Sequence, residues 1–237
     1  MRIGLAAYRC ENGNTEYNLK QIERALAESR GQVDLICFGE AFVQGFDSLT
    51  WNYGVDKETA IDAASPEFRR LCELSSQYGV AVLTGYIERS GDRIYSSCAV
   101  FSEGRLIVNY RRVSPGWKEI DIADEHYAEG DTAPGFDLNG RHFGLALCGD
   151  LWDEPELFKS GGTLIWPVFL SFELEDWDEW AFTEYAEHAA SLCREALVIN
   201  PAETDTGTHG TAFLLSGGRV KCRLPFDKEG VLIVEAE

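Results

Sequence analysis

An apolar strand, an amphipathic helix and a second apolar strand open the chain, and this order constrains the fold more than any other feature. "RIGLAAY" reads as a buried strand. "NTEYNLKQIERALAESRGQ" then sets Leu19, Ile22, Ala25, Leu26 and Ser29 on one helical face. Asn14 or Thr15 can cap its start and Gly31 its end. "VDLICFGE" follows as a second apolar strand closing on Glu40. Such a β-α-β unit implies parallel pairing and an α/β architecture.

The pattern continues along the chain. "SPEFRRLCELSSQYG" carries Ser65 at the N-cap, Pro66 at the first helical position and Gly79 at the stop. "VAVLTGY" is a further strand, and "IYSSCAVFSEGRLIVNYRR" reads as two strands around the turn "SEGR". "HFGLALCGD" and "TLIWPV" are strands with the short helix "PELFKSGG" between them. "DEWAFTEYAEHAASLCREA" is helical, "LVINP" is a strand, and the last residues form two or three strands turning at "SGGR" and "DKEG". Hairpins among helix-linked strands predict mixed sheets with helices outside. No linker or charge block divides the 237 residues, so one domain, 1–237, is expected.

Charge and cysteine usage narrow the function classes. A formal net charge of −19 disfavours a nucleic-acid partner, since phosphate binding needs clustered Lys and Arg. No run approaches the roughly 18 apolar residues of a membrane helix, and the opening residues lack a signal-peptide pattern. The seven cysteines form no C-x-x-C pair, which argues against zinc or a disulfide framework and for a reducing, cytoplasmic setting.

Three polar positions share one placement. Glu40 follows "DLICFG", Arg111 and Arg112 follow "RLIVNY", and Cys148 follows "FGLAL". Ligands of α/β folds bind beyond the carboxyl ends of strands. An acid, a cation and a thiol meeting there form a nucleophilic site. The acid takes the thiol proton, the sulfur attacks a carbonyl or nitrile carbon, and the cation with the Gly149 N–H steadies the oxyanion. Each residue alone reads more simply as a core thiol or a surface charge. The histidines, His126, His142, His188 and His209, carry no local signature of a Cys/His pair. "TDTGTHGT" lacks the phosphate-loop pattern and reads as a surface turn.

"CFGEAFVQGF", "VNYRR" and "LALCGDLWDEPE", in that order, resemble the nitrilase (carbon–nitrogen hydrolase) superfamily. The resemblance covers most of the chain, including "YAEGDTAPGFDLNGRHFGLALCGD". It implies a four-layer α-β-β-α sandwich of two mixed sheets, a homodimer or larger assembly, and hydrolysis of a small amide, nitrile or carbamoyl group through a cysteine adduct. Glu40 would be the general base and Cys148 the nucleophile on its elbow. No metal or organic cofactor is implied. "CGDLW" also resembles the amidohydrolase domain of glutamine-dependent NAD synthetases.

The departures from the family are specific. Arg112 stands where the family has lysine, and Lys118, six residues on, is the alternative cation. A second family glutamate has Asp124 or Glu125 as its counterpart in a loop one residue shorter. Trp152, Asp153 and Glu154 replace an Arg-containing stretch, and Trp166 replaces an Asn before Pro167, so Trp152 and Trp166 are pocket candidates. The expectation is an amidase-type hydrolase acting on a small amide without nucleic acid or membrane. A catalytically weak binding protein on the same fold and a glutaminase supplying ammonia to a partner are the alternatives. If Cys148 is an activated thiolate, it should alkylate fast below neutral pH and lose that reactivity in Glu40→Gln.

Overall fold

The computed structural model describes residues 1–203 and 206–236; part of "TDTGTHGT" therefore lies outside the described residues. The strands, in chain order, are β1 (Arg2–Ala7), β2 (Arg9–Cys10), β3 (Leu35–Cys37), β4 (Ala81–Ser90), β5 (Arg93–Ser102), β6 (Arg105–Arg111) and β7 (Phe136–Leu138). They continue with β8 (Arg141–Leu145), β9 (Thr163–Pro167), β10 (Glu195–Asn200), β11 (Ala202–Glu203), β12 (Thr211–Ser216), β13 (Val220–Arg223) and β14 (Gly230–Glu235). The helices are α1 (Thr15–Glu28), α2 (Tyr53–Thr59), α3 (Pro66–Tyr78), α4 (Asp150–Asp153), α5 (Leu174–Asp176) and α6 (Phe182–Leu192).

Two six-stranded sheets face each other, with orders β14-β1-β3-β4-β5-β6 and β13-β12-β10-β9-β8-β7. The parallel centre of the first sheet pairs Leu5 with Cys37 and Cys37 with Leu83. In the second sheet β9 runs parallel to both β8 and β10. Apolar side chains from both sheets, among them Leu5, Val100, Leu145 and Leu197, share one fully buried core. Each such side chain contributes about 1.5–3 kcal/mol on burial. Helices α1 and α3 cover the outer face of the first sheet through Ile22, Leu26, Phe68 and Leu71. Helix α6 covers the second through Tyr185, Ala186 and Ala189. The result is the expected α-β-β-α sandwich.

Three end signals act as the sequence implies: Asn14 accepts from Tyr17 N, Pro66 starts α3, and Gly79 ends it in the left-handed region at φ 63°. Two do not: Ser65 precedes α3 without a capping bond, its hydroxyl accepting instead from Asp62 N at 2.9 Å, and α1 ends at Glu28, ahead of Gly31. Two elements differ. The strand read through Glu40 stops at Cys37, because the Glu40 N–H leaves its own sheet to donate to Val168 O across the core at 3.3 Å. The helix read from residue 178 starts at Leu174 and passes through a π-helical turn at Trp177–Ala181, which seats the fully buried Trp177. Among the described residues no helix is long and apolar enough to cross a membrane.

Candidate active site

The C-terminal ends of β3, β6 and β8 converge, and each delivers one polar residue. Glu40 lies past β3, fully buried. The chain can turn there because Ala41 takes φ 48° and Gly85 of β4 leaves room: a Cβ on Gly85 would lie 2.5 Å from Ala41 N and 2.7 Å from the Glu40 Cα. Cys148 stands past β8 at φ 39°, a left-handed conformation that costs a non-glycine residue about 1–2 kcal/mol. Two bonds hold this elbow in place. Cys148 N donates to Pro167 O at 2.9 Å, and the Trp166 indole N–H donates to Cys148 O at 2.9 Å. Cys148 as a residue is partly exposed, while its sulfur is buried 3.8 Å from Phe169 O.

Arg112 joins the acid to the elbow. Its Nη1 donates to Glu40 Oε1 at 2.8 Å and its Nε to the Ser114 hydroxyl at 2.7 Å. Ser96 gives Glu40 Oε1 a second donor at 2.9 Å, whereas Glu40 Oε2 is buried without a hydrogen-bond partner. The Nη2 arm packs on Gly149, where a Cβ would lie only 2.7 Å away and would force the guanidinium to shift. Side-chain exposures of 3% for Arg112 and 0% for Glu40 make this a fully desolvated ion pair, whose partners cannot be removed singly without large cost.

The electrostatics set the resting protonation state. Burial, reinforced by the charge of Glu40, pushes the Cys148 thiol up to about 12, and Arg112 only partly opposes this. Burial alone would depress the Arg112 guanidinium, but the negative charges of Glu40 and Asp150, with the hydrogen bond to Glu40, outweigh it and hold the group protonated. Cys148 thus rests as a thiol beside an acceptor carboxylate oxygen.

The remaining expected residues fall in several places. The Lys118 amine donates to Tyr127 O at 2.8 Å and pairs with Glu129 at 2.6 Å; none of its bonds goes to Glu40 or Cys148. Asp124 and Glu125 are exposed, and Asp124 bonds His126, whose ring stacks on Tyr53 at 3.8 Å. Trp166 is fully buried against the elbow and stacks on Tyr185 at 5.2 Å. Trp152 packs on His188 at 3.9 Å and edge-on to Tyr185. Sequence reasoning missed Ser96, Ser114 and Asp150. Ser96 and Ser114 are small hydroxyls with no local signature. Asp150 was visible within "CGD" as a residue two beyond the cysteine. Among the described residues no cluster of His, Cys, Asp and Glu suits a metal ion.

This layered sandwich is that of the nitrilase superfamily. The carbon-nitrogen hydrolase family profile matches residues 2–236, and the chain belongs to that family. A bifunctional nitrilase/nitrile hydratase of Lupinus angustifolius is 31% identical over 152 residues, 57% of this chain and 43% of its own length. A glutamine-dependent NAD(+) synthetase of Thermotoga maritima is 27% identical over 161 residues, 66% of this chain and 27% of its own length. The chain spans less than half the length of these curated relatives. Among solved structures, an amidase of Nesterenkonia sp. AN1 superposes with a TM-score of 0.82 at 17% identity, covering 100% of this chain and 93% of that one. A glutamine-dependent NAD+ synthetase of Acinetobacter baumannii gives 0.80 at 20% identity, covering 98% of this chain and 44% of that one.

Proposed function

We propose that this family member is an amidase-type hydrolase of a small, non-peptide amide, with Cys148 as nucleophile, Glu40 as general base and Arg112 in place of the family lysine. One observation carries the reading: buried Glu40 acts on the Cys148 thiol, keeps its Oε2 unpartnered and holds Arg112 on the other oxygen. Glu40 takes the thiol proton as sulfur attacks the carbonyl carbon, and the carbonyl electrons move to oxygen. Arg112 Nη2 and the Gly149 N–H face that oxyanion. Collapse breaks the C–N bond, and the proton on Glu40 leaves with the amine. Glu40 then deprotonates water, which attacks the thioester; the C–S bond breaks and the thiolate recovers the proton. No step requires a metal or cofactor. A reducing, cytoplasmic setting and a homodimer belong to the same reading, with seven free cysteines in support of the former.

The test is ammonia release from a panel of small primary amides, with propionitrile and glutamine included. Turnover of amides, lost in Cys148→Ser and Glu40→Gln, is the expected result. Turnover of the nitrile alone would move the chain to the nitrilases, and of glutamine alone to the glutaminases. No turnover of any, with both variants folded, would favour the binding protein.

A further inference from the structure

We propose that Asp150 is a positioning residue that fixes the cation Arg112 against the nucleophile Cys148. The inference rests on the hydrolytic reading above and extends it to a residue outside the reacting trio. Asp150 is fully buried, yet all its bonds are to neutral donors. Its Oδ1 accepts from Val113 N at 3.1 Å and Ser114 N at 2.9 Å. Its Oδ2 accepts from Leu147 N at 2.7 Å and from the Tyr110 hydroxyl. Four donors satisfy a buried carboxylate that would otherwise be very costly.

The partners decide the role. Tyr110, Val113 and Ser114 bracket Arg112 in sequence, and Leu147 immediately precedes Cys148. The backbone of Arg112 is fixed within its own sheet, by a bond from Arg112 N to Ser96 O at 2.9 Å. The backbone of Cys148 is fixed within the other sheet, to Pro167 O. Each sheet therefore sets one of the two residues, and Asp150 spans the gap between them. Ser114 adds a link, since its N–H binds Asp150 while its hydroxyl accepts from Arg112 Nε. Asp150 touches neither the sulfur nor the guanidinium through any hydrogen bond. Its effect passes through the two backbone segments that it clasps.

The experiment reads alkylation of Cys148 by iodoacetamide in the full chain, by peptide mass spectrometry, with exposed Cys222 as internal reference. Asp150→Asn is placed in the wild type and in a background with the ion pair neutralised, Glu40→Gln/Arg112→Gln. If Asp150 aims Arg112, Asp150→Asn slows Cys148 by about tenfold in the wild type and by less than twofold in the neutralised background, with Cys222 unchanged. An unchanged or faster rate in the wild type, or equal slowing in both backgrounds, overturns the proposal. Where Asp150→Asn fails to fold, Tyr110→Phe removes a single donor, and a slowing of two- to threefold confined to the wild type is expected; equal slowing in both backgrounds again refutes it. Glu40→Gln alone tests the hydrolytic reading separately. A Cys148 rate indifferent to Glu40, alongside an Asp150 effect, would sink that reading and leave the clasp standing.

Discussion

Replacing Glu40 by glutamine separates two functions that one carboxylate combines. Together with burial, its charge holds the Cys148 proton on in the resting state, and in the proposed reaction its unpartnered oxygen takes that proton during attack. At about pH 8 a thiol near 12 is ionised to about one part in ten thousand. A neighbouring unit charge in a medium of effective dielectric about 20 contributes about 3 kcal/mol, or about two pKa units. Glu40→Gln removes this charge, while Arg112 remains to favour the thiolate. The thiolate fraction then rises about a hundredfold. The less basic sulfur is a weaker nucleophile, with a Brønsted slope of about 0.4–0.5, so the net gain in alkylation is about tenfold. Amide hydrolysis moves the other way, falling by about 10²–10⁴-fold with the general base gone. Iodoacetamide labelling of Cys148 against pH and ammonia release, on the same preparations, measure both. Slower labelling in Glu40→Gln would refute the reasoning, since Glu40 would then be generating a resting thiolate. The sequence alone suggested that slower outcome; the burial of both groups predicts the opposite sign.

Other substitutions test neighbouring contacts. Arg112→Lys keeps a cation but loses the fork that spans Glu40 and Ser114; stability by urea denaturation should fall by about 1–3 kcal/mol, and turnover with it. Ser96→Ala strips one donor from a buried carboxylate and should cost about 1–3 kcal/mol, measured the same way. Gly149→Ala forces a Cβ against Arg112 Nη2, and turnover should drop further than the melting temperature implies. Glu88 offers a pH test away from the site. Burial alone would raise its carboxyl, but bonds from Arg111, Ser97 and Asn109 outweigh this and hold it below the usual range. Its stabilisation is therefore present above the unfolded value of about 4.3 and lost as pH falls through the folded value. Glu88→Gln should destabilise at neutral pH and lose that penalty once the pH has fallen through the folded value of Glu88.

Much of the frame was legible because it depends on local rules. The β-α-β start, the caps at Asn14 and Pro66 and the stop at Gly79 follow from periodicity and turn chemistry alone. So did the strand-end placement of Glu40, Arg112 and Cys148. The illegible part depends on contacts between distant segments. Nothing near Lys118 announces that Glu129 and Tyr127 O will occupy its amine. Ser96 is one serine in "YSSC" until β5 brings it under Glu40. The exposure of Asp124 and Glu125 follows from how their loop lies, which no short-range pattern encodes.

The substitution of arginine for lysine has a consequence for proton traffic. A lysine near a thiolate and a carboxylate can exchange a proton with either. Arg112 cannot, because its guanidinium is held protonated by the negative charges around it. If the proposed reaction holds, Glu40 alone must carry the thiol proton to the amine and the water proton back to sulfur. Its two oxygens divide that work. Oε1 is saturated by Arg112 and Ser96, which fixes the carboxylate plane. Oε2 has no competing donor and is the only oxygen of the pair free to shuttle. An arginine site therefore does not mean a weakened site by default. In the proposed reaction the cation supplies fixed charge, the carboxylate supplies all proton transfer, and the geometry between them carries the burden that a mobile lysine amine would otherwise share.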